Sequence, residues 1–203
     1  MSNIIKPMIF DLKDLEMKAK NEDKFACYIL GRSYDSEENG VEQSFEKAMY
    51  WYEKGKELGN PCCAYGVGAC YYFGDGVKQD KEKAKQIHIN AYKPLLELIE
   101  KEKENLRKQS FSKFCLGAYY YFGFGDIERD EKKAFELIHD CAMQGHLPAI
   151  YDLGANFYYN GIGTEKNLRL SEYYLKMAVD AELPRAKVKF KQYKDTYKDE
   201  IEK

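Results

Sequence analysis

Histidine is scarce, with three copies in 203 residues, and so are tryptophan, with one, and proline, with five. His88, His139 and His146 form no HxxxH or HExxH pattern, so the sequence writes no metal site. Neither sign of charge prevails: 32 Lys and Arg stand against 34 Asp and Glu, a formal charge of −2. Nucleic acid and anionic membrane surfaces both ask for a basic surplus, so neither is an expected partner. The opening MSNIIKPMIFDLKDLE has only a short apolar stretch, broken at Lys6 and Pro7, which fits neither a secretory signal nor a spanning helix. A cytoplasmic location is therefore expected. The glycine-rich phrases FGDGVKQ and FGFGDIE lack the Gly–Lys–Ser/Thr ending of a P-loop, and no G-x-S-x-G occurs. No cofactor and no catalytic machinery are expected.

The six cysteines (Cys27, Cys62, Cys63, Cys70, Cys115 and Cys141) are irregularly spaced, without a CxxC. Free, buried thiols in a reducing compartment are the expectation. What the chain has in abundance is tyrosine, 18 copies, beside 11 phenylalanines. Tyr joins a large apolar ring to a polar tip, which suits half-buried helix seams and binding surfaces.

The aromatic residues travel in a repeat. GACYYFGDGVKQDKEKA from Gly68 returns as GAYYYFGFGDIERDEKKA from Gly117. The leading glycine recurs at Gly31, Gly68, Gly117 and Gly154, spaced by 37, 49 and 37 residues. Five residues earlier stand the small Ala26, Cys63, Ser112 and Ala149, and one earlier stand Leu30, Val67, Leu116 and Leu153. Three residues later come Tyr34, Tyr71, Tyr120 and Phe157. These offsets share one side of an α-helix. Glycine costs a helix about 1 kcal/mol relative to alanine, so four registered copies imply a packing use. A Gly- or Asn-containing loop follows each, then a second helix opened by Ser44, Asp80, Asp130 or Asn167, all N-cap types. Pro61, Pro148 and Pro184 punctuate the unit ends.

The small residue, the Leu–Gly pair, the Tyr, the G-x-G-V loop and the later Asp and Lys–Ala resemble the Sel-one-like repeat family, relatives of the tetratricopeptide repeat. The second unit fits best, through Gly68, Tyr71, Gly74, Gly76, Val77, Asp80, Lys83 and Ala84. The resemblance implies an all-α fold, a right-handed α-solenoid of four helix-turn-helix repeats with helical caps. A capping helix is expected over 1–22, units over 23–60, 61–92, 110–146 and 147–182, and a second cap over 183–203. The long spacing places a helical insertion over 93–109. Leu95, Leu98, Ile99, Glu102 and Leu106 give it a partly apolar face, either a solvated extension of the unit or an element that docks a partner.

A second stripe runs three residues before, one after and four after each anchor glycine. It carries Tyr28, Tyr65, Phe114 and Tyr151, then Arg32 and three alanines, then Asp35, Tyr72, Tyr121 and Tyr158. In the tetratricopeptide superfamily the matching positions face the concave groove. Either these rings meet a partner protein or peptide there, or they pack between neighbouring first helices. The expected function is non-enzymatic protein–protein interaction, as an adaptor or as a bacterial immunity protein that blocks a toxin. The rival is an enzyme like the family's secreted, cysteine-rich branch associated with binding and hydrolysing β-lactams. That branch places paired cysteines regularly, and Cys63 and Cys141 have no counterparts in the other units.

Overall fold

The computed structural model describes residues 5–201, with side chains through Tyr197. The outermost positions of the two expected caps, 1–4 and 202–203, lie outside the described residues. Every regular element within them is helical. In chain order they are α1 (Leu12–Lys20), α2 (Lys24–Ser36), α3 (Phe45–Glu57), α4 (Pro61–Phe73), α5 (Lys81–Lys101), α6 (Leu106–Phe122), α7 (Glu131–Met143), α8 (Leu147–Asp152), α9 (Tyr158–Asn160), α10 (Leu168–Asp180) and α11 (Pro184–Ile201). Helices pair as α2–α3, α4–α5, α6–α7 and α8/α9–α10, an α-solenoid with α1 and α11 at its ends. No helix among the described residues is long and apolar enough to cross a membrane.

Side-chain caps set where the second helices begin. Ser44, Asp80, Asp130 and Asn167 each accept the backbone N–H three residues on, at 2.9–3.3 Å. Each such cap contributes about 1 kcal/mol. The N–H of the same residue donates back to the first helix, to the carbonyls of Tyr34, Tyr71 and Tyr120 at 2.9 Å in the first three units. A hairpin is thereby closed by two bonds at one residue.

The anchor glycines face the partner helix of their own hairpin. A Cβ on Gly68 would stand 2.6 Å from the His88 ring, and on Gly117 2.9 Å from Ile138. At Gly31 it would overlap the Tyr52 ring. Neighbouring units interlock through the loops. Gly76, with φ +68°, presses on the backbone of Phe45 in α3, and Gly125 on that of Ile89 in α5. The small residues Ala26, Cys63, Ser112 and Ala149 are all buried.

Two departures from the sequence reading shape the inner face. First, the insertion does not form a helix of its own. α5 continues through Pro94 to Lys101, and α6 starts at Leu106, giving lengths of 21 and 17 residues against 13 for α3, α4, α7 and α10. The lengthened pair is tied by Gln109 donating to the Ile99 carbonyl and Ser112 to the Glu102 carboxylate, each at 2.8 Å. Leu95 is buried beneath it.

Second, the first helix of the fourth unit contains a π turn at Leu153–Phe157. The Ser171 hydroxyl of α10 donates to the Gly154 carbonyl at 2.7 Å, occupying an acceptor of the helix ladder. One extra residue is thus absorbed, and the residues after it turn by about 100°. The hairpin bond confirms the slip: Asn167 donates to the carbonyl of Tyr158, not to that of Phe157.

The winding is tight. Tyr28 of α2 reaches Cys115 of α6, hydroxyl to sulfur 3.3 Å. Phe111 of α6 packs edge-on against Phe25 and Tyr28, with centroids 5.2 and 6.3 Å away. The first unit therefore touches the third across the inner face. All six cysteines are free and buried, and burial pushes the thiols of Cys27, Cys63 and Cys141 up and that of Cys70 up to about 12.

Two outcomes follow for stability. Gly154→Ala places a methyl 2.8 Å from the Leu175 backbone nitrogen, where no rotamer gives way. It should cost about 2 kcal/mol or more in urea unfolding. Gly59→Ala meets no neighbour within 4 Å and bears only the left-handed strain of φ +77°, about 1 kcal/mol. His88, stacked 4.2 Å from Phe124, has its pKa lowered by burial to about 4. The unfolded imidazole binds its proton near pH 6.5, so His88's contribution is complete above that value and is lost as pH falls towards about 4. At pH 5 the deficit approaches ~2 kcal/mol, and His88→Phe should flatten that slope in a pH series of unfolding curves.

Candidate functional site

The tight winding leaves one cavity at the inner face that gathers charged and aromatic side chains from four units and the C-terminal cap. Its volume is about 260 Å³. Arg32, Asp35 and Ser36 come from α2, Tyr65 and Phe73 from α4, and Phe114, Tyr121 and Phe122 from α6. Asp152, Asn156 and Phe157 come from the fourth unit, and Arg185 from α11. The size suits one large side chain rather than a drug-sized ligand, which needs roughly 300–1,000 Å³.

Arg32 is the cavity's buried cation, 7% exposed. Its guanidinium lies 4.8 Å from the Phe114 ring centre and donates one hydrogen bond, to Glu38 at 2.8 Å. Its Nε has no partner. Burial opposes the charge, but the adjacent Glu38 carboxylate holds the pKa above the ordinary arginine value. The same Glu38 oxygen lies 4.0 Å from Arg185, which stacks 4.5 Å over Tyr151. One carboxylate of the first unit thus links α2 to α11.

Two further carboxylates face this pair. Burial pushes the pKa of Asp35 up, with Arg32 pulling it back. Burial likewise raises Asp152, with Arg185 and Arg32 opposing. Asp35 accepts a long hydrogen bond from the Tyr52 hydroxyl at 3.5 Å, and Asp152 accepts one from the Asn156 amide at 3.2 Å. The lining thus offers donors, acceptors and ring faces. It holds no histidine or cysteine to act as base or nucleophile.

Beside the cavity lies an aromatic rim. Phe73 and Phe122 are 46% and 41% exposed and meet edge to face at 5.4 Å. Tyr72 and Tyr121 flank them at 5.0 and 4.8 Å. Phe124, fully buried, stacks under Phe122 at 5.0 Å and fixes its orientation.

Five residues of the expected stripe line the cavity: Arg32, Asp35, Tyr65, Phe114 and Tyr121. Four do not. Tyr28 is 0% exposed, sealed between α2, α3 and α6, so it is a core residue. Tyr72 stands on the rim under the Lys81 ammonium. Tyr151 supports Arg185. Tyr158 is turned away by the π turn and lies stacked on Tyr174 at 5.7 Å, with Phe135 against its edge.

Sequence reasoning missed Phe73 and Phe122, though both sit five residues after an anchor glycine, in the repeated Tyr–Phe–Gly phrase. It also missed Asp152, Asn156 and Arg185. Asn156 comes into place within the π turn, and Arg185 through closure of the array, while Asp152 sits just before the turn on the preceding helix. Neither event leaves a mark in the residue pattern.

Stacked helix hairpins with registered glycines at the inner seam define a repeat solenoid with a side-chain-sized inner site. The chain belongs to the Sel1 repeat family, whose repeat matches residues 24–60, 63–92, 114–146 and 147–182. Among curated proteins it is similar to chitin synthase regulatory factor 1 of Schizosaccharomyces pombe (strain 972 / ATCC 24843), 29% identical over 154 residues. That match covers 75% of this chain and 30% of the relative, so the chain spans less than a third of it. Among solved structures it is similar to a Sel1 repeat protein from Oxalobacter formigenes, 24% identical with a TM-score of 0.38, over 89% of this chain and 48% of that one. It is also similar to c5321, a protective antigen of uropathogenic Escherichia coli with an SLR fold. There the identity is 23% and the TM-score 0.39, over 89% of this chain and 44% of that one.

The Glu38–Arg32 pair gives a direct test of how the site is held. Glu38→Ala leaves a guanidinium buried without its counter-charge and should cost about 3 kcal/mol in urea unfolding. The double replacement of Arg32 and Glu38 by Met should recover most of that loss.

Proposed function

We propose that this chain is a non-enzymatic interaction module that takes a segment of a partner protein at the inner cavity and its aromatic rim. One observation carries the reading. Two adjacent phenylalanines, each more than two-fifths exposed, stand at the mouth of a cavity lined by Arg, Asp and Asn side chains. Exposed, oriented aromatic rings beside buried polar groups are what interface anchors use. Phe124 and the stacked helices hold the rings in place beforehand, so little ordering entropy is lost on binding.

The family supports this reading, since Sel1 repeat proteins are generally protein-interaction modules. The name of the S. pombe relative describes a regulatory factor, which suits an adaptor role. A bacterial toxin-immunity role is a narrower form of the same function, and a toxin gene beside this one would single it out. The buried, unpaired cysteines support the binding reading over the disulfide-rich enzyme branch.

Affinity capture with the purified protein tests the reading. Phe73→Ala combined with Phe122→Ala, and separately Tyr121→Ala, should each reduce recovery of a stoichiometric protein partner at least about tenfold, the scale of an interface anchor. Tyr50→Ala, at a more exposed ring on α3, should leave recovery unchanged. Equal recovery with all variants would move the binding surface elsewhere.

A further inference from the structure

We propose that the segment Ile5–Phe10 is a strap that sets the width of the inner cavity by tying the first unit to the turn between the third and fourth. The inference rests on the cavity being the binding site, and it names how that site is regulated. The segment precedes α1 and has no regular secondary structure. Its backbone is nevertheless fixed at two points. The Met8 N–H donates to the Gly145 carbonyl at 2.7 Å, and the Phe10 N–H donates to the Asn39 side-chain oxygen at 2.9 Å. Asn39 belongs to the loop after α2, whereas Gly145 lies in the turn between α7 and α8.

The side chains of the strap divide in the same way. Met8 and Phe10 pack on the core of the first half, and Ile5 packs on the core of the second. Phe10 also meets Phe111 of α6 edge to face, 5.9 Å between centroids. Gly145 has φ +83°, and a Cβ there would collide with the Lys6 carbonyl. The turn is therefore bare on the side that receives the strap.

Both anchor points adjoin the cavity. Asn39 follows Glu38, the carboxylate that holds Arg32 and faces Arg185. The Asn39 amide also donates to Ser33 of α2 at 2.8 Å, so it is gripped from two sides. Gly145 precedes His146, which packs 4.6 and 4.7 Å from Phe111 and Phe114, the latter forming the floor under Arg32. The strap thus restrains the Glu38 loop relative to the turn that leads into α8, and Arg185 meets that loop from α11. Once it is released, the Glu38 carboxylate and Arg185 face each other at 4.0 Å without that restraint, and the cavity is free to widen for a bulkier segment.

Hydrogen–deuterium exchange measured by mass spectrometry decides this without any partner. The whole chain is compared with a variant lacking residues 1–10 and with full-length Gly145→Ala, which pushes the strap off its seat. Exchange in peptides covering 36–41 and 185–190 should rise about tenfold in both variants, the effect of losing two hydrogen bonds on a local opening. Exchange across α10, residues 168–180, should stay as in the whole chain. Unchanged exchange at 36–41 and 185–190 would overturn the proposal. So would an equal rise across α10, because the segment would then support the whole fold rather than the site. If the shortened chain does not fold, Gly145→Ala carries the decision alone. A negative result leaves the binding reading intact, and unaltered capture by the Phe73, Phe122 and Tyr121 variants leaves the strap result intact.

Discussion

The rest of the structure depends on the distance of closest approach between the two helices of a hairpin. At Gly31, Gly68, Gly117 and Gly154 a Cβ would fall within 3.0 Å of the partner helix, and Tyr52, His88, Ile138 and Leu175 fill the space. The helical cost of glycine is about 1 kcal/mol per site, smaller than the burial of one large side chain against it. The first unit meets the third across the inner face, and a cavity of about 260 Å³ remains beside the packed rings.

The charged groups follow the same logic. A guanidinium as buried as Arg32 needs a counter-charge, and Glu38 supplies one from the loop that closes the first hairpin. That loop is shaped for the task by Asn39, which takes a left-handed φ of +57° and bonds both α2 and the N-terminal segment. Aromatic faces under Arg32 and Arg185 cover what hydrogen bonds do not. Asp35 and Asp152 are left facing the cavity with raised pKa values, groups whose neighbours only partly offset their burial.

How much of this was legible in the sequence depends on range. Short-range rules carried over intact: Ser44, Asp80, Asp130 and Asn167 cap the helices they precede. The anchor glycines, read as packing devices from periodicity alone, are packing devices. Positional extrapolation failed at Tyr158, where a hydroxyl on a different helix, Ser171, shifts the register by one residue. The separate insertion expected over 93–109 is likewise absorbed, because α5 runs unbroken through Pro94 to Lys101. Tyr28 left the expected stripe for a related reason. A groove drawn from straight repeat geometry assumes that distant units do not meet, and Tyr28 is buried because they do.

That contact between first and third units changes what kind of object the array is. An ideal repeat protein behaves as a one-dimensional chain of neighbours, and its length can change by whole units at little cost. Here Cys115, Phe111 and Arg185 take their partners from residues two or more units away. Excising or duplicating a single hairpin would rotate those partners out of reach. The hairpins of this stretch are therefore held in order by contacts between distant units as well as by contacts between neighbours.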